Sequence, residues 1–252
     1  MVSCATVSEQ PVLPVSDQVS TQIIETLQGR EETVTSLKGL FQAEVEGKGM
    51  AFAHSFQGSI LFQHPDHYRI KGFTRFGGLV FDFVFSKGMY ALRVQDHPTP
   101  ILGGRDNFQQ LGELRLPVLL CLRAVEVLLG KLRLGSSDSV AIHQIDNAYQ
   151  LDVPSPSHVQ KAVFIQRILV EKESLLVHQL DYVNQEGKSV VSIQTSDFRQ
   201  VRNGPTKGAK SLQLPYKVQA EDSVQGGSIG LEFLEIIANE NLDLNLFTLT
   251  AF

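Results

Sequence analysis

Between Ser59 and Val94 the chain reads SILFQHPDHYRIKGFTRFGGLVFDFVFSKGMYALRV, in which apolar and polar residues alternate through short runs separated by turn residues. The runs are Ser59–Phe62, Tyr68–Phe73, Leu79–Phe85 and Tyr90–Val94, broken at His64-Pro65-Asp66, Phe76-Gly77-Gly78 and Lys87-Gly88. A period of two bounded by glycine and proline is the signature of strands, and connections this short make them an antiparallel meander. Within Leu79–Phe85, residues Leu79, Phe81, Phe83 and Phe85 fall on one face, while Asp82 and Val84 fall on the other. So apolar a face needs a cover, either the protein's own core or a greasy ligand. One cover lies further along the chain: Leu116–Leu129, LPVLLCLRAVEVLL, has Pro117 at a helix start and Gly130 just past its end. Only Arg123 and Glu126 interrupt its apolar surface, and it is far shorter than the ~20 residues needed to cross a bilayer. It reads as a helix that plugs the sheet, or as a movable lid hinged at Gly112 and Gly130.

The same alternation recurs along the chain. Ser36–Glu46 places Leu37, Phe41, Ala43 and Val45 on one face, and a Gly-Lys-Gly turn leads into a long strand from Met50 to Phe62. Further runs are Val140–Ile145, Ala148–Val153, Lys161–Val170, Leu175–Val183, Ser189–Phe198, Leu212–Val218 and Ser228–Ile237. Before them, Ser20-Thr21-Gln22 precede Ile23, Ile24 and Leu27, and Gly29 follows, which predicts one short amphipathic helix. The expected product is a strongly curved antiparallel sheet of about ten or eleven strands, with helices only at the start and in the middle. With 252 residues, no dividing linker and 42% hydrophobic composition, one domain from residue 19 to 252 can bury a sizeable core behind a polar tether at residues 1–18.

Charge excludes one class of partner. The net charge is -5 and the 22 lysines and arginines are scattered, so there is no basic stripe to neutralise phosphates and no nucleic-acid partner is expected. The local group Arg199, Arg202, Lys207 and Lys210 surrounds a turn, NGPTKGAK, and reads as a solvated hairpin. Of the two cysteines, Cys121 lies inside the apolar helix and reads as a small core hydrophobe. Cys4 precedes ATVSEQPVLPVSDQ, a tether that cannot build a core. Met1-Val2-Ser3-Cys4 resembles the end of a bacterial lipobox, which makes Cys4 either a lipidation site on a mature chain that carries an added or retained Met, or an incidental cysteine.

In order along the chain come a helix, a V-x-S-L-x-G-x-F-x-x-x-V strand (Val34 to Val45), G-x-I-x-F (Gly58 to Phe62), P-x-x-Y-R-I (Pro65 to Ile70) and an aromatic-glycine turn (Phe76-Gly77). That succession, with Leu214-Pro215 and LEFLEIIANENLDLNLFTL near the end, resembles the bacterial lipoprotein-localisation proteins LolA and LolB and their lipid-binding relatives over roughly Ile23 to Leu249. The resemblance implies an unclosed antiparallel barrel around an apolar cavity, with a helical lid, which receives acyl chains of lipids or lipoproteins. Residues expected to line it are Phe41, Ile60, Phe62, Tyr68, Ile70, Phe81, Phe83, Phe85 and Leu92 from the sheet, with Leu119 and Leu122 from the helix. In the LolA carriers an arginine just before the proline helps hold the lid; here His64 stands in that place. In LolB an exposed apolar side chain in the turn between the third and fourth strands helps deliver cargo to the membrane, and the matching position is Phe76.

Other features carry less. His64 and His67 flank a Pro-Asp turn without a third ligand, so neither a metal nor any cofactor is expected. His178, between Leu176 and Leu180, reads as a core histidine. No nucleophile elbow, zinc-binding helix, phosphate loop or dinucleotide fingerprint is present, and carboxylates are scattered singly, so the expectation is a binding protein and not an enzyme. Two functions follow. One is a monomeric outer-membrane lipoprotein facing the periplasm, anchored through Cys4, that holds acyl chains for transport or insertion. The other is an envelope scaffold of the same fold whose Phe row forms a closed dry core and whose outer surface meets a protein partner.

Overall fold

A computed structural model describes residues 13–47, 54–95, 99–104, 115–132, 134, 139–155, 164–204 and 212–248. After a two-residue strand, β1 (Leu13–Pro14), the chain forms helix α1 (Asp17–Thr33) and then the strands β2 (Ser36–Gly47), β3 (His54–Gln63), β4 (His67–Phe73), β5 (Leu79–Ser86), β6 (Met89–Val94) and β7 (Ile101–Gly104). Helix α2 (Arg115–Leu128) separates these from β8 (Ala141–Ile145), β9 (Ala148–Ser155), β10 (Phe164–Glu171), β11 (Val177–Val183) and β12 (Ser189–Gln200). The last strands are β13 (Arg202–Asn203), β14 (Gln213–Asp222) and β15 (Gly227–Ala238), followed by a 3-10 turn at Leu244–Phe247.

All the strands belong to one sheet, in the order β1-β8-β9-β10-β11-β12-β14-β15-β2-β3-β4-β5-β6-β7. Among the described residues only β13, against β15, is parallel. The two end strands, β1 and β7, are not paired with each other, so the barrel is unclosed, as expected. Every run read from alternation forms a strand within its described residues; residues 50–53 of the second long run and 161–163 of a later one lie outside them. Fifteen strands are described against the ten or eleven expected: the alternating runs make twelve, and β1, β7 and β13 are short pairings with no alternation to announce them. The N- and C-terminal halves meet where β15 pairs antiparallel with β2 from Gly227↔Gly47 to Ala238↔Leu37, with one bulge between Phe233 and Glu235.

Helix α1 is longer than its sequence signals suggest. It begins at Asp17, with Ser16 as its extended N-cap residue, and it passes straight through Gly29 to Thr33. Leu13–Pro14 and Asp17–Gln18, expected in the tether, are therefore strand and helix, while Cys4 lies outside the described residues. The helix survives its glycine because Ile23, Ile24 and Leu27 are buried against the sheet, which outweighs the ~1 kcal/mol that glycine costs in a helix interior. Helix α2 matches the expected span to within a residue, and Gly130 ends it with φ +69, its amide donating to the Val127 carbonyl at 3.0 Å.

Candidate functional site

The meander residues expected to line a cavity do come together, on the inner face of β2–β6. Phe41, Ile60, Phe62, Tyr68, Ile70, Phe83, Phe85 and Leu92 are all buried to within 2% exposure. They pack on one another as aromatic pairs, Phe62 with Tyr68 at 5.1 Å and Tyr68 with Phe85 at 6.1 Å tilted, and Phe83 with Tyr90 stacked at 6.2 Å between centroids. Glycines on the neighbouring strands let the rings lie down. A Cβ on Gly58 would sit 2.3 Å from Phe41 Cζ, and one on Gly72 would sit 2.5 Å from Phe81 Cε1. The row opens only at its rim, where Phe81 is partly buried and meets Phe56 at 5.5 Å.

Helix α2 packs on β12, β14 and β15 and joins the same core. Leu122 is buried and Leu119 half-buried, with Leu120, Ala124, Val125 and Leu128 buried beside them. Arg123 and Glu126 within it neutralise each other: Arg123 Nη1 donates to Glu126 Oε2 at 2.6 Å, and the guanidinium lies 5.4 Å from the Tyr182 ring centroid. Glu126, above all, raises the Arg123 guanidinium above its ordinary value against the opposing effect of burial. Cys121 is fully enclosed, and burial pushes its thiol up to about 12, which suits a core filler and not a nucleophile.

The C-terminal end of α2 is tied down by contacts that sequence reasoning did not find. Lys131 Nζ donates to the Pro65 carbonyl and lies 4.7 Å from the Phe62 centroid, and Gln166 Nε2, itself buried, donates to the Leu132 carbonyl at 2.8 Å. His64, at the expected latch position, is exposed. A cation does hold the helix to this turn, but it comes from the helix side. Gly112, the other expected hinge, lies outside the described residues.

The outer face of the meander differs from expectation. Asp82 and Val84 were placed there as outward residues, and both are buried. Arg69 grips Asp82 in a fork, Nε to Oδ1 at 2.9 Å and Nη2 to Oδ2 at 2.6 Å, and its Nη1 donates to the Leu246 carbonyl at 2.8 Å. The C-terminal 3-10 turn is thereby strapped across β4 and β5, with Phe247 buried 5.6 Å from the His67 ring. A long-range strap of this kind leaves no trace in local alternation.

Free volume lies elsewhere. A cleft of about 630 Å³ runs between α1, the C-terminal end of α2, and β11, β12 and β14. Its apolar wall includes Leu27, Val34, Leu132, Val177, Phe198 and Leu214, and none of the expected lining residues borders it. Arg30 stands on the α1 wall, where Nη1 donates to the Leu175 carbonyl at 2.5 Å and Nη2 to the Ser174 carbonyl. The spacing Leu27, Arg30, Val34 marks one helical face, but the signal stopped short because α1 was expected to end at Gly29.

The remaining candidates scatter. Phe76 is fully exposed on the β4–β5 turn, where Gly77 takes φ +84. His67 Nδ1 and Ser86 Oγ share a hydrogen bond of 2.7 Å. Among the described residues no cluster of three or more His, Cys, Asp or Glu side chains could hold a metal ion. His178 is exposed and not core: a bulge opposite Leu169 and Val170 leaves it out of the ladder, with its ring edge-on to Phe198 at 5.2 Å. Arg199 pairs with Asp197 at 2.5 Å on the same exposed rim, and Lys207 and Lys210 lie outside the described residues.

No protein-family model and no curated sequence matches the chain. Solved structures do. A DUF1329 family protein from Desulfovibrio piger superposes with a TM-score of 0.60 at 11% identity, covering 92% of this chain and 96% of that one. A putative outer membrane lipoprotein-sorting protein domain from Vibrio parahaemolyticus gives 0.59 at 8% identity, covering 92% and 97%. A LolA superfamily protein from Nitrosomonas europaea gives 0.57 at 10% identity, covering 93% and 98%. The chain has a LolA/LolB-like fold.

Proposed function

We propose, from that fold, that the protein is a non-enzymatic acyl-chain binder of the bacterial cell envelope, holding lipid or lipoprotein acyl chains for transport or insertion into the outer membrane. One observation carries the reading: a cleft of about 630 Å³ with a largely apolar wall lies between the sheet and both helices, within the range of small-molecule sites. Three roles follow. The cleft takes the chain, Cys4 carries the lipid anchor, and exposed Phe76 makes a weaker contact with the bilayer or the acceptor. The sorting protein and the LolA superfamily protein of the same fold support this assignment by analogy of architecture.

Native mass spectrometry of protein purified from bacteria tests the reading. A co-purifying lipid, or saturable uptake of a fluorescent fatty acid, is the expected result. A clean apo mass with no uptake favours the second reading, a scaffold that meets an envelope protein partner, which is supported by the closed packing of the Phe row. In cells making the full precursor, Cys4→Ala is expected to release the protein from the membrane fraction. Phe76→Glu is expected to leave it anchored but slow transfer to liposomes.

A further inference from the structure

Among the described residues the acyl-chain cleft has one cation on its wall, Arg30, and no carboxylate paired with it. Arg30 is half-buried, and both of its hydrogen-bond acceptors are backbone carbonyls, which carry no net charge. Burial draws the guanidinium below its ordinary value, with no acidic neighbour acting against that effect. The nearby polar groups are otherwise engaged or outside. Thr26 and Thr33 hydroxyls donate to the carbonyls four residues back, at 2.7 and 2.9 Å, and Glu171 accepts from Ser174 Oγ. Glu25 lines the cleft but is exposed to water, which screens its charge. Arginines removed from water are ordinarily matched by an anion, because desolvating an unpaired charge is costly. A guanidinium has five N–H donors and the two carbonyls leave some unused.

We propose that Arg30 is the headgroup-recognition residue of the cleft, selecting amphiphiles with an anionic head, a carboxylate or a phosphate monoester, over uncharged ones of the same chain length. The proposal rests on the acyl-chain reading above and narrows it to a ligand class. The tail lies along Leu27, Val34 and Leu214, and the anionic oxygens take the donors that the Ser174 and Leu175 carbonyls do not use.

Calorimetric titration of the full chain with dodecanoate, dodecyl phosphate and 1-dodecanol, each below its aggregation limit, separates the possibilities. Wild type is expected to bind at least one of the two anions about tenfold more tightly than dodecanol, the scale of one charge-assisted hydrogen bond; which anion is preferred tells fatty acid from phosphorylated lipid. Arg30→Gln keeps an N–H donor for the carbonyls and removes the charge. It is expected to bring anion and alcohol to the same affinity, even where loss of the tie to the Ser174 and Leu175 carbonyls weakens both, whereas Arg30→Lys retains most of the preference. Equal affinity for anion and alcohol in wild type, or an undiminished preference in Arg30→Gln, overturns the role of Arg30 while leaving the acyl-chain reading standing. Binding of none of the three overturns that reading and this inference with it.

Discussion

On the β2–β6 flank of the sheet, aromatic rings lie over glycines and against one another, whereas under β11, β12 and β14 the side chains stop short of α1 and leave a cleft. One sheet thus handles apolar surface in two ways. On the first flank large rings and close strand contacts seal the interior, while α2 packs across β12, β14 and β15. On the second, the bulge in β11, the turn before it and the amphipathic face of α1 hold the layers apart. Aromatic density in a sequence therefore marks where a sheet is packed and not necessarily where it binds. A cleft arises where medium-sized residues meet a helix that is pinned at a distance, here by Arg30 on the Ser174 and Leu175 carbonyls.

The sharpest way to break this contrast is to cut both flanks. Phe83→Ala removes a ring with no exposed surface and is expected to cost about 3–5 kcal/mol, read from denaturant unfolding, because the sealed flank cannot collapse around the void. Val177→Ala, on the half-buried cleft wall, is expected to cost under ~1 kcal/mol while weakening fatty-acid uptake severalfold. Similar stability losses at the two sites mean that the flanks are packed alike.

Next in size is Asp82→Asn. Alternation alone makes this residue outward and tolerant, yet its carboxylate is only 4% exposed and is forked by Arg69. Leaving Arg69 without its anion is expected to cost about 3 kcal/mol and to loosen the C-terminal strap, seen as faster hydrogen exchange over Leu244–Phe247. A change in midpoint within error removes the strap from the account.

The smallest pair carries opposite signs. Gly58→Ala drives a methyl into Phe41 and is expected to destabilise by about 1–3 kcal/mol. Gly29→Ala meets nothing within 4 Å inside α1 and is expected to stabilise by up to about 1 kcal/mol. Thermal melts of the two variants decide it; a loss at Gly29 means that α1 is not helical through that turn.

Much of the fold was legible because strands with one buried face write a period of two, so each alternating run became a strand and the Pro117–Gly130 punctuation framed α2. The short β1, β7 and β13 carry too few residues for any period to show. The candidate site was less legible. The inner faces of Phe41, Phe83 and Leu92 were read correctly as buried, but burial does not say whether a ring faces a neighbour or a ligand. Arg30, Lys131 and Arg69 do their work through backbone carbonyls of Leu175, Pro65 and Leu246, distant in sequence, and a carbonyl acceptor leaves no residue-type signal.

Photo-crosslinking with a diazirine-bearing fatty acid, followed by peptide mapping of the adducts, locates the bound acyl chain. Adducts are expected to concentrate on the cleft walls, at Leu27, Val177 and Leu214, and to be suppressed by excess dodecanoate. Adducts concentrated instead on Phe62, Phe83 or Phe85 would contradict this expectation, placing the acyl chain inside the flank described here as sealed.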